Sequence, residues 1–342
     1  MISPPSSVKT AMTSLDCAPV ATTPDASTIE LELEAHRREL TGYCYRMLGS
    51  GFEAEDAVQE TMVRAWRAID SFEGRSALRS WLYRIATNVC LDMLQGPQRR
   101  ARPMDLGPSS SADSVLGPGL PENTWISPVQ DSRVLPPDGD PAELAAQRDT
   151  IRLAFVAALQ HLPPRQRAVL ILREVLRWQA TEVAELLDTS VASVTSALQR
   201  ARATLAAADL DAPVTTTMDA EQQEILARYV EAFERYDINS LVALIHKDAT
   251  FSMPPFALWL RGTDDIARWY TGQGIGCKDS RLLSTSANGC AAFGAYKSSG
   301  PGAWDPFALQ VIEVSGDRIT GLHHFLDPQL FAAFGLPARI EE

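Results

Sequence analysis

The feature that most constrains the fold is a pair of helical patterns separated by a short turn, between positions 180 and 205. The first, ATEVAELL, and the second, VASVTSALQRARATL, both repeat apolar residues at three- and four-residue steps. Three turn-forming residues, Asp188, Thr189 and Ser190, lie between them. This spacing predicts a DNA-binding helix-turn-helix, although a helical hairpin of any bundle would show the same pattern. The residues of the second helix expected to face inward are Val191, Val194, Ala197, Leu198 and Leu205.

Charge is distributed unevenly along the chain. The 342 residues carry a net charge of -12, yet residues 151–205 hold seven basic against four acidic side chains. Residues 73–100 hold five arginines against two acids, whereas residues 101–150 hold three basic against eight acidic residues. Contacts to DNA phosphates depend on local charge rather than on the total. Two basic patches in an acidic protein are therefore compatible with DNA binding.

The chain is too long for one average domain, and its composition changes along its length. The N-terminal stretch resembles neither a signal peptide nor a membrane anchor, so no membrane association is expected. The five cysteines lack the spacing of a zinc site or a disulfide framework, so we expect no cofactor and a cytoplasmic location. The expected divisions are a disordered leader at 1–29, a helical unit at 30–96, a linker at 97–140, a helical unit at 141–208, a joint at 209–218 and a third unit at 219–336.

The first helical unit contains two amphipathic runs, EAEDAVQETMVRAWRAID and SALRSWLYRIATNVCLDML. In the first run the apolar set ends with Ala65, Trp66 and Ile69, which leaves Asp56, Gln59, Glu60 and Arg64 toward solvent or a partner. The linker that follows is rich in Pro, Gly and Ser and is expected to be flexible. Its isolated Trp125 and Ile126 suggest a short docking element.

The third unit opens with two amphipathic helical patterns and continues with strand-like segments. Those segments are ATFSMP, CAAFGAYKS, FALQVIEVSG and RITGLHHFLD. Helices followed by strands predict an α+β unit with a curved antiparallel sheet.

Longer stretches around these patterns carry a family resemblance. LPPRQRAVLILREVLRWQATEVAELLDTSVASVTSALQRARATL resembles region 4 of bacterial sigma factors of the extracytoplasmic-function (ECF) group. EAEDAVQETMVRAWRAIDSF and LRSWLYRIATNVCLDML resemble region 2 of the same group, and the two regions stand in the right order. Residues 219–335 are similar to a SnoaL-like, NTF2-like domain, and WISP at 125–128 is similar to a linker motif of sigma factors that carry this domain.

The resemblance implies a multidomain fold with two all-α sigma domains and a C-terminal α+β NTF2-like cone. It implies a non-enzymatic factor that binds core RNA polymerase, through the β′ clamp helices and the β subunit, and directs promoter-specific initiation. Core binding would fall to Asp56, Gln59, Glu60 and Arg64. Region 2 would contact the minus-ten element through Arg75, Arg79, Arg84 and Asn88. Region 4 would contact DNA through Ser190, Ala192, Ser193, Thr195, Ser196, Gln199, Arg200 and Arg202.

The role of the C-terminal domain stays open on sequence grounds. Trp259, Asp264, Trp269, Trp304 and His323 could line a pocket for a small-molecule ligand or supply acid-base chemistry. Adjacent His323 and His324 on one strand must point to opposite faces, so at most one of them lines a given cavity. We favour a regulatory domain that contacts the sigma regions or their linker. The alternative is a stand-alone helix-turn-helix regulator with a ligand-sensing domain, which leaves the region 2 patterns without a purpose.

Overall fold

The structure, a computed structural model, describes residues 26–69, 72, 77–96, 99–207 and 220–342. A helix, α1 (Ala26–Ala35), begins inside the stretch expected to be a disordered leader. Residues 36–342 form one compact unit that contains both helical regions, the linker and the C-terminal domain.

The first helical region is a three-helix bundle of α2 (Arg37–Leu48), α3 (Gly51–Ala68) and α4 (Leu78–Met93). α2 lies at its centre and is buried continuously from Leu40 to Leu48. It ends at Gly49, whose φ of +74° is the left-handed conformation that glycine adopts readily after a helix. Trp66 of α3 was expected to face the core but is 44% exposed, because it lies one residue beyond Ala65 at the edge of the apolar stripe.

The linker has little regular structure, but it is packed against the rest of the chain. Its short elements are α5 (Pro103–Leu106), a 3₁₀ turn (Glu122–Thr124) and α6 (Asp131–Val134). Trp125 and Ile126 are almost completely buried, and the N–H of Ser127 donates to the carbonyl of Gly49 over 3.0 Å. This differs from the expected flexible chain, since the few apolar residues of the linker are used for docking.

The second helical region contains α7 (Pro141–Asp149), α8 (Leu153–Gln160), α9 (Pro164–Leu170), α10 (Ala180–Leu186) and α11 (Val191–Ala207). α9 continues through a π-helical turn over Ile171–Val175. Short turns at 150–152, 161–163, 176–179 and 187–190 separate these helices. α10 and α11 form the predicted helix-turn-helix. Val191 is 42% exposed rather than inward, because the buried stripe of α11 begins one turn later at Val194.

The C-terminal domain is an α+β cone in which helices α12 (Ala220–Glu234), α13 (Ile238–Ala243) and α14 (Thr263–Thr271) pack with a curved sheet. The strands are β1 (Ile245–Ser252), β2 (Trp259–Arg261), β3 (Arg281–Ala287), β4 (Cys290–Gly300), β5 (Ala303–Ser315), β6 (Arg318–Phe325) and β7 (Ile340–Glu341), and a last helix, α15 (Gln329–Ala333), precedes β7. The sheet order is β2-β1-β6-β5-β4-β3, with β7 paired to β5. The sheet is mixed rather than antiparallel, since β1 runs parallel to β6.

Candidate nucleic-acid interface

The outer face of α3 presents the four residues expected to bind a protein partner. Asp56, Gln59, Glu60 and Arg64 are all exposed. Arg64 Nε donates to Glu60 Oε1 over 2.7 Å, one helical turn away, and its Nη1 lies 3.4 Å from Asp92 of α4. Exposed pairs of this kind add little to stability, so these charges are available to a partner at small cost.

The promoter-facing residues expected on α4 are in contact with the second helical region. Arg84 is exposed, yet its Nη2 donates to the main-chain carbonyl of Glu185 in α10 over 3.0 Å. The guanidinium of Arg79 pairs with Glu39 and lies 5.4 Å from the ring centre of Trp178, which precedes α10. Asn88 is exposed, and Arg75 lies outside the described residues. Both described arginines are therefore engaged by other parts of the chain.

The helix α11 presents a continuous polar face to solvent. Its start is fixed by Ser190, whose Oγ accepts from the N–H of Ser193 over 3.2 Å. Arg200 Nη1 donates to Ser196 Oγ, and Arg202 pairs with Glu174 over 2.6 Å. Ser196 is half-buried, and the other seven residues expected to contact DNA are exposed: Ser190, Ala192, Ser193, Thr195, Gln199, Arg200 and Arg202.

Two buried arginines hold the helical regions against each other. Arg46 of α2 is 4% exposed and donates from Nη2 to Thr150 Oγ1 over 2.7 Å. Arg167 of α9 is 3% exposed and donates to the main-chain carbonyl of Met47. Burial lowers the pKa of each guanidinium to about 10. Among the described residues neither guanidinium pairs with a carboxylate, and buried cations satisfied only by neutral groups add little to the stability of an interface.

Asn288 joins the C-terminal domain to the other three parts of the compact unit. It occupies the turn between β3 and β4 with a φ of +55°, a conformation that Asn tolerates better than most residues. Its side chain is fully buried; its Oδ1 accepts from the N–H of Val129 over 3.1 Å. Its Nδ2 donates over 2.6 Å to the hydroxyl of Tyr45 and over 2.6 Å to the carbonyl of Ile151. One amide thus connects region 2, the linker and the second helical region.

The neighbouring residue, Gly289, completes this contact. Its N–H donates to Asp131 Oδ1 over 2.8 Å, and its φ is +71°. A Cβ at this position would lie 3.0 Å from the Cβ of Arg148, so only glycine fits without displacement. We name the pair Asn288–Gly289 the hairpin latch. Sequence reasoning missed it, although an Asn-Gly pair between two apolar runs is a strong signal for a tight hairpin.

The five residues suggested for a C-terminal pocket do not converge. Trp259 Nε1 donates to the carbonyl of Gly107, Asp264 is exposed, and Trp269 packs in the core against Phe251. Trp304 lies at the far end of β5, under the guanidinium of Arg281. His323 faces the linker side of the sheet, where its Nε2 lies 3.6 Å from Glu313 and its Nδ1 bonds Ser252.

The cone interior contains the adjacent histidine instead. His324 is 2% exposed and lies among the rings of Phe233, Phe251 and Tyr270. Burial lowers the pKa of its imidazole to about 3, so the ring is neutral. Its Nε2 has no hydrogen-bond partner among the residues that the structure describes.

Within the described part of the chain, no helix has both the length and the hydrophobicity to span a membrane. No cluster of His, Cys, Asp and Glu in that part of the chain could hold a metal ion.

Comparisons with known proteins agree with this architecture. The family model described as Sigma-70 region 2 matches residues 33–100, and the one described as Sigma-70, region 4 matches residues 152–205. The ECF RNA polymerase sigma factor SigG of Mycobacterium tuberculosis is 46% identical over 312 residues, which are 89% of this chain and 82% of SigG. SigJ of the same organism is 28% identical over 323 residues, which are 90% of this chain and 95% of SigJ.

The fold has a counterpart among solved structures. The crystal structure of Mycobacterium tuberculosis SigJ superposes with a TM-score of 0.56 at 24% identity, covering 90% of this chain and all of that one. The resemblance to both sigma regions and the architecture with an α+β C-terminal domain are thereby confirmed. The length and identity of the match to SigG extend this likeness over most of the sequence. The chain therefore belongs to the ECF RNA polymerase sigma factors.

Proposed function

We propose that the chain is a sigma factor held in a closed form by its own C-terminal domain and linker until it binds polymerase and promoter. The observation that carries the proposal is the hairpin latch, through which Asn288 bonds region 2, the linker and region 4 at once. In this closed form Arg84 of the promoter-facing helix α4 contacts region 4, and Arg79 of the same helix pairs with Glu39 in the region 2 bundle.

Promoter recognition requires the two regions to separate. The promoter elements lie more than one turn of DNA apart, and a turn is roughly 34 to 36 Å long. Here α4 and α10 touch, so one rigid unit cannot reach both elements in this form. Once undocked, the residues between the regions have a contour of roughly 150 Å, which is ample. Opening is thus the step at which regulation acts.

In the open form each exposed face is free to bind its own partner. Asp56, Gln59, Glu60 and Arg64 bind the β′ clamp helices of core polymerase, and the β subunit contacts region 4. Arg79, Arg84 and Asn88, with Arg75 beside them in sequence, engage the minus-ten element. α11 reads base edges with its hydroxyl, amide and methyl groups, while Arg200 and Arg202 contact phosphates. The protein works in the cytoplasm, where polymerase is, and regulates without catalysis.

Run-off transcription with core polymerase tests this proposal. The full chain is compared with Asn288→Gly, which keeps the left-handed turn available but removes the amide. We expect both proteins to direct initiation from the same start site, with several-fold more transcript from Asn288→Gly. Asn239→Ala, an exposed asparagine of the same domain, serves as the control and leaves transcription unchanged.

Two results would contradict the proposal at different levels. Failure of both proteins to bind core polymerase would remove the sigma assignment of the faces. Equal or lower transcription by a folded Asn288→Gly protein would leave a sigma factor whose C-terminal domain does not restrain it.

A further inference from the structure

A cavity of about 480 Å³ is lined by residues from all parts of the compact unit. The sigma regions contribute Arg38 of α2 and Arg148 and Arg152 of region 4, and the linker contributes residues between Asp131 and Pro137. The C-terminal domain contributes the rest of the lining, including the hairpin latch residue Gly289. Its volume falls within the range of small-molecule sites, roughly 300 to 1,000 Å³.

The cavity combines positive charge with an apolar wall. Three arginines, Arg38, Arg148 and Arg152, are among its lining residues, with one carboxylate, Asp131, which already accepts the N–H of Gly289. Arg152 Nε also pairs with Asp149 Oδ1 over 3.1 Å, so Arg38 and Arg148 carry most of the charge offered to a ligand. Arg152 is 7% exposed and directs Nη1 to Cys290 Sγ over 3.2 Å. The apolar part of the lining comes mainly from Leu135, Leu226, Ile312 and Val314.

This lining selects a class of ligand. Guanidinium groups bind carboxylate and phosphate oxygens with charge-assisted hydrogen bonds, which are stronger than neutral ones. The branched aliphatic side chains favour a hydrocarbon body and would gain nothing from a bare inorganic ion. We propose that this cavity is a binding site for an amphipathic organic anion, with its carboxylate or phosphate head at the arginines and its hydrocarbon body against Leu226 and Ile312.

The position of the site gives it a regulatory consequence, which rests on the proposed function. The cavity exists only while region 2, the linker, region 4 and the C-terminal domain are together. A ligand that binds only this form, present at a hundredfold excess over its Kd, shifts the equilibrium between closed and open forms by about a hundredfold toward closed. The anion therefore acts as a co-repressor of initiation.

Calorimetric titration of the full chain, without polymerase, tests the site itself. The probes are decanoate and decyl phosphate, below their micelle concentrations, with decanol and inorganic phosphate as single-feature controls. We expect saturable 1:1 binding of at least one amphipathic anion, with at least about tenfold weaker binding of decanol and of inorganic phosphate. Preference for decanoate or for decyl phosphate identifies the head group.

Variants locate the binding. Arg148→Ala weakens binding of the preferred anion at least about tenfold, whereas substitution of an exposed arginine just after α12, Arg235→Ala, leaves it unchanged. Ala291→Phe fills the cavity while keeping every arginine, and it weakens binding of the anion as well. Absence of saturable binding, equal binding of decanol, or full binding by both folded Arg148→Ala and Ala291→Phe would overturn the site.

Run-off transcription then separates the site from its consequence. The preferred anion reduces transcription by the wild type and has a smaller effect on Arg148→Ala. Saturable binding without any change in transcription would leave the site standing and overturn the co-repressor role. Loss of transcription that is equal in wild type and Arg148→Ala would also overturn that role.

Discussion

At the scale of single residues, Asn288 has more influence on the closed form than its size suggests. Its single side-chain amide forms hydrogen bonds with Tyr45, Val129 and Ile151, which belong to three different segments of the described chain. Removing it leaves buried polar groups without partners, which costs about 1.5 to 3 kcal/mol. That energy corresponds to roughly a ten- to hundredfold shift toward opening.

Hydrogen exchange measures this shift directly. In Asn288→Gly we expect the amides of residues 127 and 129–131 to exchange roughly ten- to hundredfold faster than in the wild type, while those of the β4–β5 pair keep their rates. Asn288→Asp is the companion variant, because its carboxylate keeps the shape but cannot donate to Tyr45 or Ile151. Wild-type protection of residues 127 and 129–131 in both variants would show that the latch does not hold the linker.

His324 makes the stability of the cone depend on pH. Its pKa is about 3 in the folded chain and about 6.5 when unfolded, so the unfolded state binds the proton more readily. Above pH 6.5 the ring is neutral in both states and adds no pH dependence, whereas the free energy of unfolding falls by about 1 kcal/mol for each pH unit between 6.5 and 3. Replacement by Phe, which suits the surrounding rings of Phe233 and Phe251, removes this dependence.

Urea unfolding at pH 7, 6 and 5 provides the measurement. The difference in unfolding free energy between His324→Phe and the wild type is expected to grow as pH falls. His161→Gln, at an exposed position of region 4, should follow the wild type. Parallel pH curves for His324→Phe and the wild type would mean that folding does not lower the pKa of His324.

At the scale of elements, the exposed face of α3 offers a sharp test of polymerase binding. Glu60 pairs with Arg64 one turn away over 2.7 Å, and Glu231 of α12 pairs over 2.8 Å with Arg235, which directly follows that helix. Reversing either glutamate to Arg removes a weak exposed pair, so both variants should keep their stability.

Only one of the two reversals is expected to affect binding. Glu60→Arg reverses the charge that α3 presents to its partner. The resulting repulsion should weaken the affinity for core polymerase at least about tenfold. Glu231→Arg should bind as the wild type does. Co-sedimentation of labelled variants with core polymerase measures both, and equal binding by the two variants would remove α3 from the interface.

The elements also show how far sequence reasoning reaches. The helix-turn-helix was predictable because α10 and α11 have clear apolar periods and three turn residues between them. β2, α14 and β3 were not predicted; β2 spans three residues, too few to show a period. The parallel pairing of β1 with β6 joins segments about 70 residues apart, and periodicity contains no information about such partners.

The candidate site was predictable only where helical periodicity defines its surface. Surface positions on α3, α4 and α11 follow from helical period alone, and the structure places the described ones on accessible faces or against another part of the chain. The hairpin latch and the cavity depend on contacts between segments more than 100 residues apart. A strand period shows that His323 and His324 face apart but not which of them faces inward. The sequence therefore could not predict that His324, and not His323, lies in the cone interior.

At the scale of the whole molecule, the proposed mechanism requires the closed arrangement to form and then to separate. The contacts between regions 2 and 4 include Arg46 and Arg167, whose buried charges are satisfied by neutral acceptors. The linker adds the docked segment around Trp125 and Ile126. In the proposed mechanism, binding of core polymerase and promoter offsets these contacts, because each partner would stabilise only the open form.

The distance between region 2 and region 4 tests this account most directly. Dyes on exposed Arg67 of α3 and Thr204 of α11, introduced through unnatural amino acids because the chain has five cysteines, report it by energy transfer. We predict high transfer in the free chain and low transfer in the complex with core polymerase and promoter, where the elements are more than roughly 34 Å apart. Low transfer in the free chain, or transfer that stays high in a transcribing complex, would contradict the closed-to-open mechanism.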